Sequence, residues 1–600
     1  MLHTFHIPVL GLGYSIDTPL KVARYGISSV LSIVDDDLIE RIRQYHTEKF
    51  CLEFTPIDKK TADSRAKRIT AYLNFLKQNI DLQFEQLKQQ DFVPGSDICR
   101  YFELLPEHAN LKHGYELMMS YPDGESKIIF QNLLRKGMVI GPIDVNIMAK
   151  VDKMNFLDNK YTGDHNSDAL AALRGFAQSE LSASVVLSAG MNPKLYSYLE
   201  QFADFFPDEN GQMKKKVILK VSDFRSAFIQ ARFLAKKGIW VSEFRVESGL
   251  NCGGHAFATD GYLLGPILEE FKLKRGEMLD ELSACYKMAL SQRSLLLKTC
   301  PDQRITVQGG IGTAEEHEFF LHHYGLSATG WGSPFLLVPE VTNVDNNTLA
   351  NLTAAGTGDY YLSNSSPLGV LFNNFKHNTA EQQRLARIES GRPGSPCTKK
   401  YLCNNTEFTT EPICTASRQY QNLKIKQLKS LKLEKSVYQA QVNQVTEKVC
   451  LCEGLCASAY LKNGIIKPKE NKAVAICPGP NLAYFSGIYS LDELVGHIYG
   501  RINLIRQGDR PHIFLQELNL YIQYFKGLLN QYHLSKNDKK KKQLLAFKDQ
   551  LLIGVDYYKT LFKTISHQAV SQLQVLLQDL SLSEAQLDQM TIGELDSYGK

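Results

Sequence analysis

The chain has 600 residues, 44% of them hydrophobic and 22% charged, with 41 Gly and 21 Pro. That length calls for more than one ordinary domain, and the composition excludes a disordered, collagenous or coiled-coil chain. A formal net charge of +4 is too small to mark a nucleic-acid binder by itself.

No apolar run approaches the ~18 residues of a membrane span. The amino terminus lacks the basic stretch that precedes the apolar core of a signal peptide. The expectation is a soluble, cytoplasmic protein. In chain order, His6–Gly13 (HIPVLGLG) reads as a strand closing on glycines. Thr18-Pro19 opens a helix, proline standing where its missing N–H costs nothing, and Ile27–Val34 is a second buried run. From Asp35 to Lys136 the pattern turns helical and polar, a helical insertion over 36–135. Strand-like runs then alternate with helical ones: Met138–Lys150, Ser184–Pro193, Lys215–Val221, Trp240–Gly249, Arg304–Gly312 and Leu326–Val338. Near-continuous apolar strands separated by helices imply a parallel sheet covered on both faces. The number of such units favours a closed (β/α)8 barrel, whose strand ends build the active site. The expected fold is therefore an α/β TIM barrel made of 1–35 and 136–388. A cysteine-rich segment over 389–480 and a helical region over 481–600 follow. The lysine run Lys539–Lys542 reads as a solvated helix start or loop.

Three strand ends could carry chemistry. Ser248–His255 (SGLNCGGH) puts two glycines before a histidine. Such glycines let the backbone approach a flat ligand while the imidazole acts as general acid or base at its edge. Gln308–Gly312 (QGGIG) feeds the helix that starts at AEEHEFF, and a glycine-rich turn at a helix amino terminus offers free N–H groups to a phosphate. It is not a dinucleotide fingerprint, so a single phosphate is the expected guest. Thr329–Phe335 (TGWGSPF) is a further glycine-bearing strand end, and late barrel strands often share one phosphate. His317 and His322 are spaced one residue too far apart for a zinc-protease helix.

In order, IPVLGLGYSIDTPLKVARYG, IDVNIMAK, VILKVSDFRSAFIQARFLAKKG, SGLNCGGH, VQGGIG and GWGSPFLLVPE resemble the successive motifs of the FMN-dependent nitronate monooxygenase (2-nitropropane dioxygenase-like) family. That family includes enoyl reductases of fatty acid and polyunsaturated fatty acid synthesis. LSNSSPLGVLFNNF is similar to the family's last barrel strand. The resemblance implies an FMN-binding barrel with Asn146 beside the flavin, Lys220 near the isoalloxazine and Gly253 and Gly254 facing the cofactor. His255 matches the active-site base, and Gly309, Gly310, Gly312, Gly332 and Ser333 match the phosphate loops. The implied activity is reduction of an unsaturated, acyl-type or acyl-carrier-linked substrate, or oxidation of a nitronate-like carbanion, with NAD(P)H as a candidate electron donor. Asn251-Cys252 stand where the family usually has Glu-Ala, Ala256 stands in place of Gly, and Ser248 in place of Gln. The alternatives are an RNA-modifying or RNA-binding FMN barrel, which the weak net charge disfavours, and a non-catalytic barrel scaffold.

Of the twelve cysteines, five are scattered and seven crowd the stretch from Cys397 to Cys477. Cys450, Cys452 and Cys456 (CLCEGLC) are expected on a loop because of Gly454, converging on one metal centre with Cys397 or Cys414. An iron–sulfur cluster ranks ahead of zinc there, and buried free thiols are the alternative.

Overall fold

The computed structural model describes residues 2–590, apart from 149–151, 158–159, 189, 257–259, 506–509, 536 and 565–569. Eight parallel strands close a barrel. They are β1 (Phe5–Ile7), β2 (Ser28–Ser32), β3 (Ile143–Ile147), β4 (Ala183–Leu187), β5 (Lys215–Val221), β6 (Val241–Glu247), β7 (Arg304–Gln308) and β8 (Ala328–Gly330). Each strand pairs with the next in the chain, and β8 returns to β1 through Phe5↔Thr329 and His6↔Gly330. The fold is thus the α/β barrel expected, each strand-like run supplying one strand. Ala149 and Lys150, the end of one such run, lie outside the described residues.

Strand alternation explains what the apolar pattern hid. In β6, Phe244 faces out against Phe271 of the helix Leu264–Ser291, while Glu243, Arg245 and Glu247 share the opposite face. Arg245 binds Glu243 at 2.7 Å and reaches Asp144 of β3 at 3.1 Å, so the barrel interior holds a buried ion cluster. Such a cluster is fully paired but contributes little net stability.

The helices Asp36–Lys49, Ser64–Lys88, Asp97–Glu103, Asn110–Ser120 and Glu125–Gly137 lie between β2 and β3. Asp35 caps the first, its side chain accepting from the N–H groups of Asp37 and Leu38. Ser64–Lys88 packs on Asp168–Ala177, where a Cβ on Gly175 would sit 2.6 Å from the Ala66 carbonyl oxygen. Only glycine permits that approach.

Two expectations are corrected. LSNSSPLGVLFNNF is not a barrel strand, because β8 already closes the barrel on β1. It forms an antiparallel hairpin of β9 (Tyr360–Ser363) and β10 (Phe372–Phe375), with register Tyr360↔Phe375 to Ser363↔Phe372. The cysteine motif is not a loop but the helix Leu451–Lys462, with Cys450 at its N-cap. Gly454 serves packing rather than a turn: its Cβ would lie 2.6 Å from the Ala475 Cβ. The helices Leu491–Ile498, Ile513–Ser535, Asp538–Thr564 and Val570–Gln589 follow. The expected continuation of helix over 591–600 lies outside the described residues. Among the described residues no helix is long and apolar enough to cross a membrane.

Candidate active site

At the carboxyl ends of the strands lies a cavity of about 190 Å3. Asn146, Lys220, Glu247, Gly253, Gly254 and His255 border it, and Leu368, Phe372, Leu451, Cys452, Leu455 and Cys477 close it from the chain's later half. It falls below the ~300–1,000 Å3 of drug-sized ligand sites, so it suits a flat head group rather than a whole dinucleotide.

Its floor is a charge pair. Lys220, at the end of β5, places Nζ 2.9 Å from Oε2 of Glu247 at the end of β6, and Gln308 Nε2 donates to the other Glu247 oxygen at 2.7 Å. Its rim is the turn after β6. Asn251, Gly253 and Gly254 take positive φ of 59°, 118° and 84°, the left-handed region that glycine enters at no steric cost. A Cβ on Gly253 would meet the Cys477 carbonyl oxygen at 2.1 Å, whereas around Gly254 there is nothing within 4 Å. Both neighbours clamp the turn: Gly254 N donates to the Cys477 oxygen at 3.1 Å, and Asn373 N donates to the Gly254 oxygen at 2.9 Å. His255 Nε2 lies 2.7 Å from Ser366 Oγ in the β9–β10 connection, and its ring stands edge-on to Phe372.

The glycines expected at a phosphate lie outside this cavity. Between them and the cavity stand Cys252, whose Cβ is 2.8 Å from where a Gly332 Cβ would be, and Gly479. Ser333 Oγ is engaged, donating to the Cys252 oxygen at 3.0 Å and accepting from Gly479 N at 2.7 Å. Gly312 N donates to Glu316 at 2.9 Å, which removes that N–H from any phosphate site. Gly309 N faces the Cys252 thiol, which burial pushes well above its ordinary range. The remaining donors are different. Among the described residues the buried N–H groups of Gly310, Ile311, Gly332 and Ser333 give no hydrogen bond. Orphaned buried N–H groups are rare, and leaving each unmet costs about 1–3 kcal/mol. Here four stand at the ends of two adjacent strands, with Gly309 and Gly310 at φ of 103° and 85°. Successive backbone N–H groups in a turn make an anion-binding nest, and those of Gly310 and Ile311 follow one another in such a turn. The residues therefore fit a ligand with a flat polar head and a single anionic group.

The sequence reading missed Glu247, Ser366 and the cavity-lining Cys477, and it assigned Cys452 to a metal centre where the structure has it line the cavity. Glu247 could have been found from the Glu243–Arg245–Glu247 alternation, whereas nothing local marks Ser366. The expected cysteine metal set is not assembled. Cys450 caps the helix, and Cys452 lines the cavity. Cys456 Sγ lies 3.0 Å from Asp35 Oδ2, and Cys397 Sγ lies 4.0 Å from Cys403. Cys414 is a buried free thiol nearby, within hydrogen-bonding reach of Cys397. Among the described residues no group of three or more His, Cys, Asp or Glu side chains is placed to hold a metal ion.

No family model and no curated protein matches this chain. Two solved structures are similar to it in part. One is a single-residue mutant of FabK from Thermotoga maritima, 10% identical over 66% of this chain and 84% of that one, with a TM-score of 0.29. The other is the enoyl reductase domain of MlnA from the macrolactin biosynthesis cluster of Bacillus amyloliquefaciens, 14% identical over 92% and 96%, with a TM-score of 0.36. Likenesses so distant carry no functional conclusion, which has to come from the site.

Proposed function

We propose that this chain is an FMN-dependent oxidoreductase that reduces an unsaturated, acyl-type substrate. The observation behind this reading is the pairing of two features at one barrel mouth. A cavity is edged by Asn146, Lys220, Gly254 and His255, and across Cys252 and Gly479 from it lie four N–H groups, of Gly310, Ile311, Gly332 and Ser333, that give no hydrogen bond among the described residues. An enoyl reductase is also what the MlnA structure is named for, but the reading does not rest on it.

When bound, FMN supplies hydride transfer. The chain's own residues do the rest. Gly254, with open space where a side chain would stand, lets a flat ring approach the backbone. Lys220 brings a cation to the cavity floor, where it favours negative charge on a reduced ring, and Glu247 holds that ammonium in place. His255, whose Nε2 is held by Ser366 Oγ, would serve as the general acid that protonates a substrate carbon. Leu368 and Phe372 exclude water from the same space.

The test is NAD(P)H-driven reduction of a short α,β-unsaturated acyl thioester by FMN-loaded protein. Wild type turns over, and His255→Asn lowers the rate about 100-fold while leaving FMN bound. Equal rates remove His255 from the chemistry. Failure of the wild type on this substrate class, with FMN bound, removes the substrate assignment.

A further inference from the structure

Arg510 and Asn481 belong to the later part of the chain, yet both end on the turn after β7. The Arg510 side chain is 4% exposed. It donates from Nη1 and Nη2 to the two oxygens of Glu316 at 2.7 and 2.9 Å, from Nε to Asn481 Oδ1 at 2.9 Å, and from Nη2 to the Gly310 carbonyl oxygen at 2.8 Å. Asn481 Nδ2 donates to the Ile311 carbonyl oxygen at 2.9 Å. Glu316 completes the frame by accepting from Gly312 N at 2.9 Å and Ile513 N at 2.8 Å. Burial alone would raise the Glu316 carboxyl, but Arg510, together with His512 and the Gly312 N–H, holds the group below its ordinary value.

Peptide planarity gives this frame a consequence. In a trans peptide the carbonyl of one residue and the N–H of the next point in opposite directions. Because the Gly310 carbonyl is drawn to Arg510, the Ile311 N–H must point away from Arg510. Because the Ile311 carbonyl is drawn to Asn481, the Gly312 N–H points the other way, and it is found on Glu316. Gly310 has φ of 85°, and a peptide next to glycine can turn over at little steric cost. Nothing in the turn itself would keep the Ile311 N–H facing one direction.

We propose that Arg510 is a positioning residue for the anion nest, fixing the Gly310–Ile311 peptide so that the unpartnered N–H groups present themselves to the ligand's phosphate. Arg510 acts through the backbone and not by contact with the anion, since its donors are directed to Glu316, Asn481 and Gly310. The inference rests on the FMN reading above and adds to it that the phosphate site is completed from outside the barrel.

The experiment measures binding of FMN and of riboflavin, which lacks the phosphate, by absorbance and fluorescence titration of the full chain. Arg510→Ala would strand the buried Glu316 carboxylate, so the main variant is the double Arg510→Met/Glu316→Leu, with Arg510→Lys as the conservative partner. Folding of each is checked by circular dichroism and a thermal melt. Wild type should prefer FMN over riboflavin by about 10–100-fold, the worth of charge-assisted hydrogen bonds. The folded double variant should lose that preference with its riboflavin affinity unchanged, and Arg510→Lys should recover part of it. A folded double variant that keeps the full FMN preference overturns the role of Arg510 and leaves the FMN reading standing. A wild type that binds neither ligand overturns both.

Discussion

Gly253 and Gly254 are neighbours in the chain, and the structure asks opposite things of them. At Gly253 a side chain would collide with the Cys477 backbone, so Gly253→Ala should destabilise the fold and open the clamp on the turn. At Gly254 the space is free and faces the cavity. Gly254→Ala should cost only the ~1–2 kcal/mol of a left-handed alanine. It should weaken FMN binding nonetheless, because its methyl group occupies the ring's approach. A thermal melt together with an FMN titration separates the two: the first variant loses melting temperature, the second loses affinity. At this scale much was legible, since two glycines before a histidine announce a close approach and an edge-on imidazole. Ser366 was not, because it reaches His255 across 111 residues of chain from a hairpin whose own pattern looked like one more strand. Gly312 looked like a phosphate donor, but its N–H is committed to Glu316, which the sequence showed only as part of an acidic helix start.

The helix Ile513–Ser535 governs a second site turn. Glu517 is buried and accepts from Gly249 N at 2.6 Å and Leu264 N at 2.7 Å, joining the end of β6 to the start of the helix Leu264–Ser291. Burial raises its carboxyl from 4.5 to about 7, against the opposing pull of the two N–H groups. The folded state therefore holds this proton more tightly than the unfolded chain does. Its contribution to stability is complete below pH 4.5, declines as pH rises to about 7, and is flat beyond, a swing of roughly 3 kcal/mol for a shift of that size. Urea unfolding at pH 5 and pH 7.5 should show this loss in wild type and a smaller one in Glu517→Gln. An unchanged pH dependence in the variant would remove Glu517 as its source. Element type was mostly readable from periodicity, and the cysteine motif shows where that fails. Gly454 looked like a loop signal, but glycine is also what two segments need in order to touch, and there it admits Ala475.

Across the whole molecule the barrel and the later chain share one interior. Tyr14 OH donates to the Ala475 oxygen at 2.7 Å, Gly13 N donates to the Leu455 oxygen at 3.2 Å, and Gly253 pairs with Pro478. The change in texture near Ile388 was visible in the sequence. That the segment beyond it would return to cover the strand ends was not, because composition records where a pattern changes and not what it packs against. A chain cut after residue 388 should therefore be insoluble or unfolded, bared of the partners of Tyr14 and Gly13, and a soluble, cooperatively melting fragment would contradict that dependence. FMN binding at the mouth of the barrel is tested by the flavin content of the purified full chain after saturation with FMN and removal of the excess. The expected result is a yellow protein that releases one FMN per chain on denaturation. A colourless protein that takes up no FMN would contradict it.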